Sequence, residues 1–170
     1  MHYGLYSIWG RGEKSMYFNR IPKVVYRNLM EWFTADSFSG RAIAKLTKET
    51  GMKYACLTAR HHDGFSLYDT HGINTYDALH SAAKCDLIRD FVDGCHSEGI
   101  VPFLYYTTLD WYDERCDNAF PEYIDCLIPL YKSYANITVK SADSGLTATG
   151  ADRMRIDRKK TLYNDMLLST

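Results

Sequence analysis

The sequence lacks both a cluster of positive charge and a long apolar run. No run of Lys and Arg exceeds three residues, at Arg158 to Lys160, and the formal net charge is −1. Nucleic acids and anionic membranes bind basic patches, so neither is an expected partner. No segment approaches the roughly 18 apolar residues of a membrane span, and no charged region followed by an apolar one marks a signal peptide. A hydrophobic content of 46% instead favours a globular domain.

Motifs for cofactors and for several kinds of covalent catalysis are also missing. The sequence has no glycine-rich phosphate loop, no G-x-S-x-G segment and no C-x-x-C pair. Its five cysteines are scattered and odd in number, which predicts reduced thiols rather than a disulfide framework. We therefore expect no cofactor.

What is present is an alternation of strands and helices. Continuous apolar segments predict strands that are buried on both faces, as in a parallel sheet, and 3.6-residue periodicity predicts the helices between them. The class is therefore α/β. The predicted strands lie at 2–8, 53–59 and 100–106, and the helices at 22–33, 39–51, 86–99 and about 121–134. The first strand begins with no polar lead-in, so we expect a native N-terminus upstream and assign no localisation.

Polar clusters follow the ends of the second and third predicted strands, at 60–63 and 110–112. This is the edge of a parallel α/β fold where sites are built, above all in (β/α)₈ barrels. A whole barrel needs about 250 residues, so this chain could hold three or four of its eight units. The predicted fold is thus a partial (β/α)₈ TIM barrel.

The adjacent histidines His61 and His62 are the strongest candidates for a binding site. Two imidazoles at a strand end can exchange hydrogen bonds with neighbouring hydroxyls, as the vicinal diols of a sugar require. They could also be ordinary loop histidines or zinc ligands. Among other candidates, His2 could be a core residue and Glu13 a solvated charge, and Trp111 could be a stacking surface or a core anchor.

Four segments together resemble the α-L-fucosidases of glycoside hydrolase family 29. HYGLYS resembles that family's His-Trp-Gly segment on the first strand, and LTARHHDGFSLYDT resembles its Ala-Lys-His-His-Asp-Gly-Phe segment. CDLIRDFVDGCHSEGI and FLYYTTLDWYD resemble the helix and the Tyr-Tyr-Ser strand that follow. The match covers about residues 2–132. The resemblance implies a retaining hydrolase in which an aspartate attacks the anomeric carbon of terminal α-L-fucose and a second carboxylate protonates the leaving oxygen.

The resemblance also implies roles for individual residues. His2, His61 and His62 would bind fucose hydroxyls, with Glu13 contacting the sugar and Tyr106 lying near the reacting centre. Strand side chains alternate, so only one of Tyr105 and Tyr106 can face the barrel axis. The substrate-binding set is therefore predicted to be His2, Glu13, His61, His62, Tyr106 and Trp111. Lys14 departs from the family, which usually has Trp beside that Glu, and this removes a stacking surface.

The family's nucleophile, in a Trp-Phe-Asp-Gly strand, has no counterpart here, so no catalytic residue is assigned. The chain instead reads SYANITVKSADSGLTATG from Ser133 to Gly150. Starting from a Lys132 codon that ends in G, the frame displaced one nucleotide upstream can spell ELCKHYGKVGRLRFDGDW, which resembles the family. We therefore divide the chain into 1–132, the N-terminal part of the catalytic domain, and 133–170, an aberrant, frameshifted and irregular tail.

Three hypotheses of function follow. The first is a truncated, inactive part of an α-L-fucosidase whose partner is a fucosylated oligosaccharide or glycoconjugate. The second is a carbohydrate-binding remnant without catalysis, and the third is a metal-dependent hydrolase that uses His2, His61 and His62. The first makes no use of a metal. Fucosyl linkage, aglycone preference and oligomeric state stay open.

Overall fold

The centre of the fold is a parallel pair of strands that is covered by two helices. The computed structural model describes residues 1–107 and 110–113, together with the backbone of 138–141, 147–149 and 166–169. Strand β1, Tyr54–Arg60, and strand β2, Val101–Tyr106, pair in parallel. The predictions of strands at 53–59 and 100–106 are confirmed within one residue at each end, and so is the mixed α/β class.

Both long helices begin and end at the residues that the sequence indicates. Helix α4, Gly40–Glu49, begins after Ser39, whose Oγ accepts a 3.2 Å hydrogen bond from the Ala42 amide. Helix α5, Leu87–Glu98, begins after Asp86, whose carboxylate accepts from the Arg89 amide at 2.9 Å. Gly99 ends α5 in the left-handed conformation. These side chains satisfy amide groups that would otherwise lack partners in the first turn.

Helices α4 and α5 touch each other backbone to backbone. A Cβ atom on Gly40 would collide with the backbone of Asp90, and one on Gly94 would collide with Gly40 and Arg41. The Gly40 amide also donates a 2.8 Å hydrogen bond to the Asp90 carboxylate. This close approach brings the apolar side of α5 onto the sheet, where the fully buried residues include Leu57, Ile88, Phe91, Val92, Cys95 and Leu104.

The predicted strand at 2–8 is wrong. The first three residues do lie along β1, since the Met1 terminal amine donates to the Cys56 carbonyl and the Tyr3 amide donates to Thr58 Oγ1 at 3.1 Å. The chain then turns, because Ser7 and Gly4 exchange hydrogen bonds: Ser7 N donates to Gly4 O at 2.9 Å and Gly4 N to Ser7 Oγ at 3.2 Å. Helix α1, Tyr6–Trp9, follows directly.

The predicted helix at 22–33 is divided into the short helix α3, Lys23–Arg27, and a 3₁₀ turn at Asn28–Glu31. Helix α2, Ser15–Phe18, precedes this segment. The 3₁₀ turn rotates the side chains away from 3.6-residue spacing, so the expected apolar side does not form. Leu29 and Phe33 are buried, whereas Val25 and Trp32 are 51% and 73% exposed.

The described backbone of the C-terminal tail forms three short strands. It contributes short strands β3, Thr138–Ser141, β4, Thr147–Thr149, and β5, Met166–Ser169, to a sheet of order β1-β2-β5-β3-β4. Strand β5 runs antiparallel to β2. The helix predicted at 121–134 lies outside the described residues. Within the described part of the chain, no helix has the length and apolar character needed to cross a membrane.

Candidate functional site

Aromatic and imidazole rings converge at the carboxyl end of β1. His61 follows the last residue of the strand and is 4% exposed. Its ring centroid lies 4.5 Å from that of His62, 5.2 Å from that of His2 and 5.5 Å from that of Tyr105. The Tyr6 ring meets His61 edge-on at 6.0 Å. Side chains from the strand ends and from the N-terminal segment thus form one cluster at this edge of the sheet.

His61 is neutral at physiological pH and keeps one nitrogen free. Burial, together with the charges of His62, His2 and Lys14, lowers the pKa of His61 to about 3. Its Nδ1 is buried and has no hydrogen-bond partner in the structure. A buried polar atom that lacks a partner is costly, and a bound ligand, ion or water molecule can supply that partner.

His2 and Glu13 bring two more polar groups to His61. One side-chain ligand atom of each of the three residues lies within 4.8 Å of the others. His2 is exposed and Glu13 half-buried, so this trio opens to solvent at one side. An apolar strand at 2–8 would make His2 a buried core residue. His2 is exposed instead. The trio could hold a hydroxylated ligand or a divalent metal ion, since imidazole and carboxylate groups bind both.

His62 belongs to the same cluster but faces a different neighbour. Its Nδ1 lies 2.6 Å from Thr107 Oγ1, and its ring centroid lies 5.1 Å from that of Trp111. The Trp111 amide donates a 2.7 Å hydrogen bond to the His62 carbonyl, which joins the ends of the two parallel strands. The metal hypothesis named His2, His61 and His62, whereas the structure groups Glu13 with His2 and His61 instead.

Tyr106 does not lie in the cluster that was predicted to contain it. It is fully buried, and its hydroxyl accepts a 2.8 Å hydrogen bond from Arg60 Nη1. Tyr105 takes that place, with its ring stacked on His61 and 6.1 Å from His2. The alternation of the strand required that only one of these tyrosines face the histidines, but the sequence contains no signal that says which.

A buried ion pair joins the last residue of β1 to the loop that follows β2. Arg60 and Asp110 pair through Nη2 and Oδ2, and their side chains are each 4% exposed. Arg60 Nε also donates to the Gly64 carbonyl at 3.2 Å. Gly64 has a φ of 79° and lies against Asp110, so that a side chain would meet both backbone strain and a collision. The loop after β1 is thereby fixed to the loop after β2.

Comparison with solved structures links this arrangement to one group of enzymes. An α-L-fucosidase of glycoside hydrolase family 29 from Bacteroides thetaiotaomicron matches with a TM-score of 0.69 at 25% identity, covering 78% of this chain and 35% of that one. α-L-Fucosidase isoenzyme 1 from Paenibacillus thiaminolyticus matches with a TM-score of 0.64 at 35% identity, covering 78% and 36%.

Comparison by sequence agrees with the structural matches. Human plasma α-L-fucosidase is 25% identical over 129 residues, which are 66% of this chain and 28% of that protein. The chain therefore spans between a quarter and two fifths of the length of these relatives. The family model for α-L-fucosidase matches residues 1–125, which is well over half of the 170 residues. The chain belongs to the α-L-fucosidase family.

Proposed function

We propose that this chain forms the fucose-binding wall of a retaining α-L-fucosidase and does not hydrolyse fucosides by itself. Residues 1–132 would supply the first three or four units of a (β/α)₈ barrel, and residues 133–170 would be a tail foreign to that barrel. The ligand would be the terminal α-L-fucose of a fucosylated oligosaccharide or glycoconjugate. The share of the relatives' length that the chain matches, 28% of the human plasma enzyme, supports this reading.

One observation carries the proposal: a buried, neutral histidine with a free nitrogen faces an imidazole and a carboxylate. A neutral His61 ring can donate from one nitrogen and accept at the other, so it suits a hydroxyl group, which itself both donates and accepts. Glu13 would accept from a hydroxyl and His2 would bind a neighbouring one, since their ligand atoms and that of His61 lie within 4.8 Å. Fucose offers such adjacent hydroxyls.

The remaining ring contacts would hold this set in place. Tyr105 stacks on His61, and Thr107 fixes the orientation of His62 through the 2.6 Å contact with Nδ1. We propose Tyr105 in place of Tyr106 among the sugar-facing residues, together with His2, Glu13, His61, His62 and Trp111. Retaining hydrolysis needs two carboxyl groups about 5–5.5 Å apart, one as nucleophile and one as acid and base. Glu13, with its neighbours His2 and His61, would bind the ring and fill neither role.

The test compares two histidine substitutions in the 170-residue chain. Ligand-observed saturation-transfer NMR should detect L-fucose, and not its mirror image D-fucose, on the wild-type chain. His61→Asn should abolish the L-fucose signal. His71→Asn is the matched control, because His71 lies in a loop with its side chain 55% exposed and with a positive φ that Asn tolerates. Equal effects of the two substitutions, or equal signals from both sugars, would overturn the proposal.

Two further measurements separate this proposal from the alternatives. The wild-type chain should release no 4-nitrophenol from 4-nitrophenyl α-L-fucoside, and calorimetry with L-fucose should give no resolvable heat, because only part of the pocket is present. A clear heat of binding would favour a carbohydrate-binding remnant.

The convergence of His2, Glu13 and His61 also favours a second candidate, a zinc-dependent hydrolase. Elemental analysis of the purified protein decides between the two. Stoichiometric zinc that is lost in His61→Asn would support the metal enzyme, and its absence in protein purified without chelators would dismiss it.

A further inference from the structure

A row of rings leads from the buried histidine to the surface. The ring centroids of His61 and His62 are 4.5 Å apart, those of His62 and Trp111 are 5.1 Å apart, and those of Trp111 and Tyr17 are 5.1 Å apart. Exposure rises along the same row, since His61 is 4% exposed, His62 and Trp111 are half-buried and Tyr17 is 63% exposed. The row therefore has a closed inner end and an open outer end.

The chemistry changes along the row as well. The inner rings are imidazoles, which bind hydroxyl groups through hydrogen bonds. The outer rings are an indole and a phenol, which offer flat apolar faces and few polar atoms. A ligand that follows the row must therefore be polar at its inner end and must present a flat, partly apolar face further out. A sugar ring that is linked to the inner sugar has such a face.

Tyr17 is held in position although it is exposed. Its ring is stacked on that of Trp111 at an interplanar angle of 26°, and the Trp111 amide is bonded to the His62 carbonyl at 2.7 Å. Helix α2 carries Tyr17 beside Phe18, which meets it edge-on and is 71% exposed. An exposed ring with a fixed orientation loses little conformational freedom when a ligand stacks on it, which favours binding.

We propose that Tyr17, supported by Trp111, is a platform for the sugar next to the terminal fucose, that is, for the aglycone pyranose of the substrate. This inference rests on the proposed function, because it takes the inner end of the row as the fucose site. The platform would determine which fucosylated glycans the site prefers. Tyr17 is a specificity residue in this proposal and has no part in the chemistry of bond cleavage.

The first test uses the wild-type chain and two probes, methyl α-L-fucoside and α-L-fucosyl-(1→6)-N-acetylglucosamine. NMR titration should show that the disaccharide binds about threefold to tenfold more tightly, which corresponds to one aromatic stacking contact. Saturation should also reach the ring protons of the N-acetylglucosamine. Equal affinities and saturation confined to the fucose would overturn the platform alone. Failure of both probes to bind would overturn the proposed function and the platform with it.

The second test uses substitutions. Tyr17→Ser should reduce disaccharide affinity to that of methyl α-L-fucoside and leave the latter unchanged, whereas Tyr17→Phe, which keeps the ring, should behave as wild type. Trp32→Ser is the control for loss of an exposed aromatic ring, since Trp32 is 73% exposed, and it should change neither affinity. His61→Asn should lose both probes. A Tyr17→Ser variant that keeps the preference for the disaccharide would contradict the proposal.

Discussion

The Tyr26 hydroxyl donates a 3.0 Å hydrogen bond to Oδ2 of Asp63, whose side chain is buried. Burial raises the pKa of Asp63 to about 7, although the hydrogen bonds from Tyr26 and from the Phe65 amide act in the opposite direction. Asp63 directly follows His61 and His62 in the chain. The loop that carries both histidines thus contains a buried carboxyl group that changes its charge near neutral pH.

The first prediction is that Asp63 and His61 make stability depend on pH in opposite directions. The pKa of Asp63 is about 7 in the folded chain, compared with 3.8 for an ordinary Asp. Its stabilising contribution to the folded state is therefore complete below about pH 4 and is lost as the pH rises through 7. The pKa of His61 is about 3 in the folded chain, compared with 6.5 for an ordinary His. Its stabilising contribution to the folded state is therefore complete above about pH 6.5 and is lost as the pH falls towards 3.

Urea unfolding between pH 4 and 8 checks this prediction in single variants. Asp63→Asn should leave a chain whose free energy of unfolding rises from pH 4 to 6.5 and then levels off. His61→Asn should leave one whose free energy of unfolding falls from pH 4 to 7. In the wild type the two effects should largely cancel between pH 4 and 6.5. Two variants with the same pH profile would contradict the assignment.

The second prediction concerns the hydrogen bond itself. Tyr26→Phe removes one of two donors to a buried carboxyl group and should lower the free energy of unfolding by about 1–3 kcal/mol. The loss should be greater at pH 8 than at pH 5, because the charged carboxylate needs the donor more than the protonated acid does. Tyr17→Phe is the control, as this exposed hydroxyl should contribute little. Chemical denaturation at the two pH values measures both variants.

Local signals explain how much of the fold could be predicted. Ser39, Asp86 and Gly99 mark helix ends through contacts within one turn, so their effect can be read from the sequence. The two parallel strands are mostly apolar or aromatic, which is typical of strands buried on both faces. The segment at 2–8 is also apolar, yet the exchange of hydrogen bonds between Gly4 and Ser7 turns it into a helix, and no periodicity reports such a pair.

The candidate site was predictable only in part for a similar reason. His61 and His62 were identifiable because they follow a buried strand, whereas the choice of Tyr105 over Tyr106 depends on the buried guanidinium of Arg60 that binds the Tyr106 hydroxyl. Tyr17 lies on a four-residue helix far from Trp111 in the chain. Contacts of that range depend on the tertiary fold, and neither spacing nor composition encodes them.

The third prediction concerns the origin of the tail. If a single-nucleotide frameshift near Lys132 produced residues 133–170, the codons actually used for Ser133 to Gly150 must spell a Phe-Asp-Gly segment in the frame displaced one nucleotide upstream. Sequencing the coding DNA checks this directly. Codons that give no such segment in that frame would dismiss the frameshift. Restoring that frame should yield a chain whose new Asp can be tested as the nucleophile.

The last prediction is that loss of Asp110 lowers the free energy of unfolding more than loss of its ion-pair partner Arg60. Asp110→Asn removes the carboxylate that pairs with the buried guanidinium, which keeps the Gly64 carbonyl and the Tyr106 hydroxyl as acceptors, and should cost about 3–5 kcal/mol. Arg60→Met leaves a carboxylate that still accepts from the amides of residues 112 and 113, at 2.7 and 2.8 Å, and should cost less. A double-mutant cycle by urea unfolding measures both losses and their coupling. Because the two residues share one ion pair, the double variant should lose less than the sum of the single variants, and strict additivity would contradict the pairing.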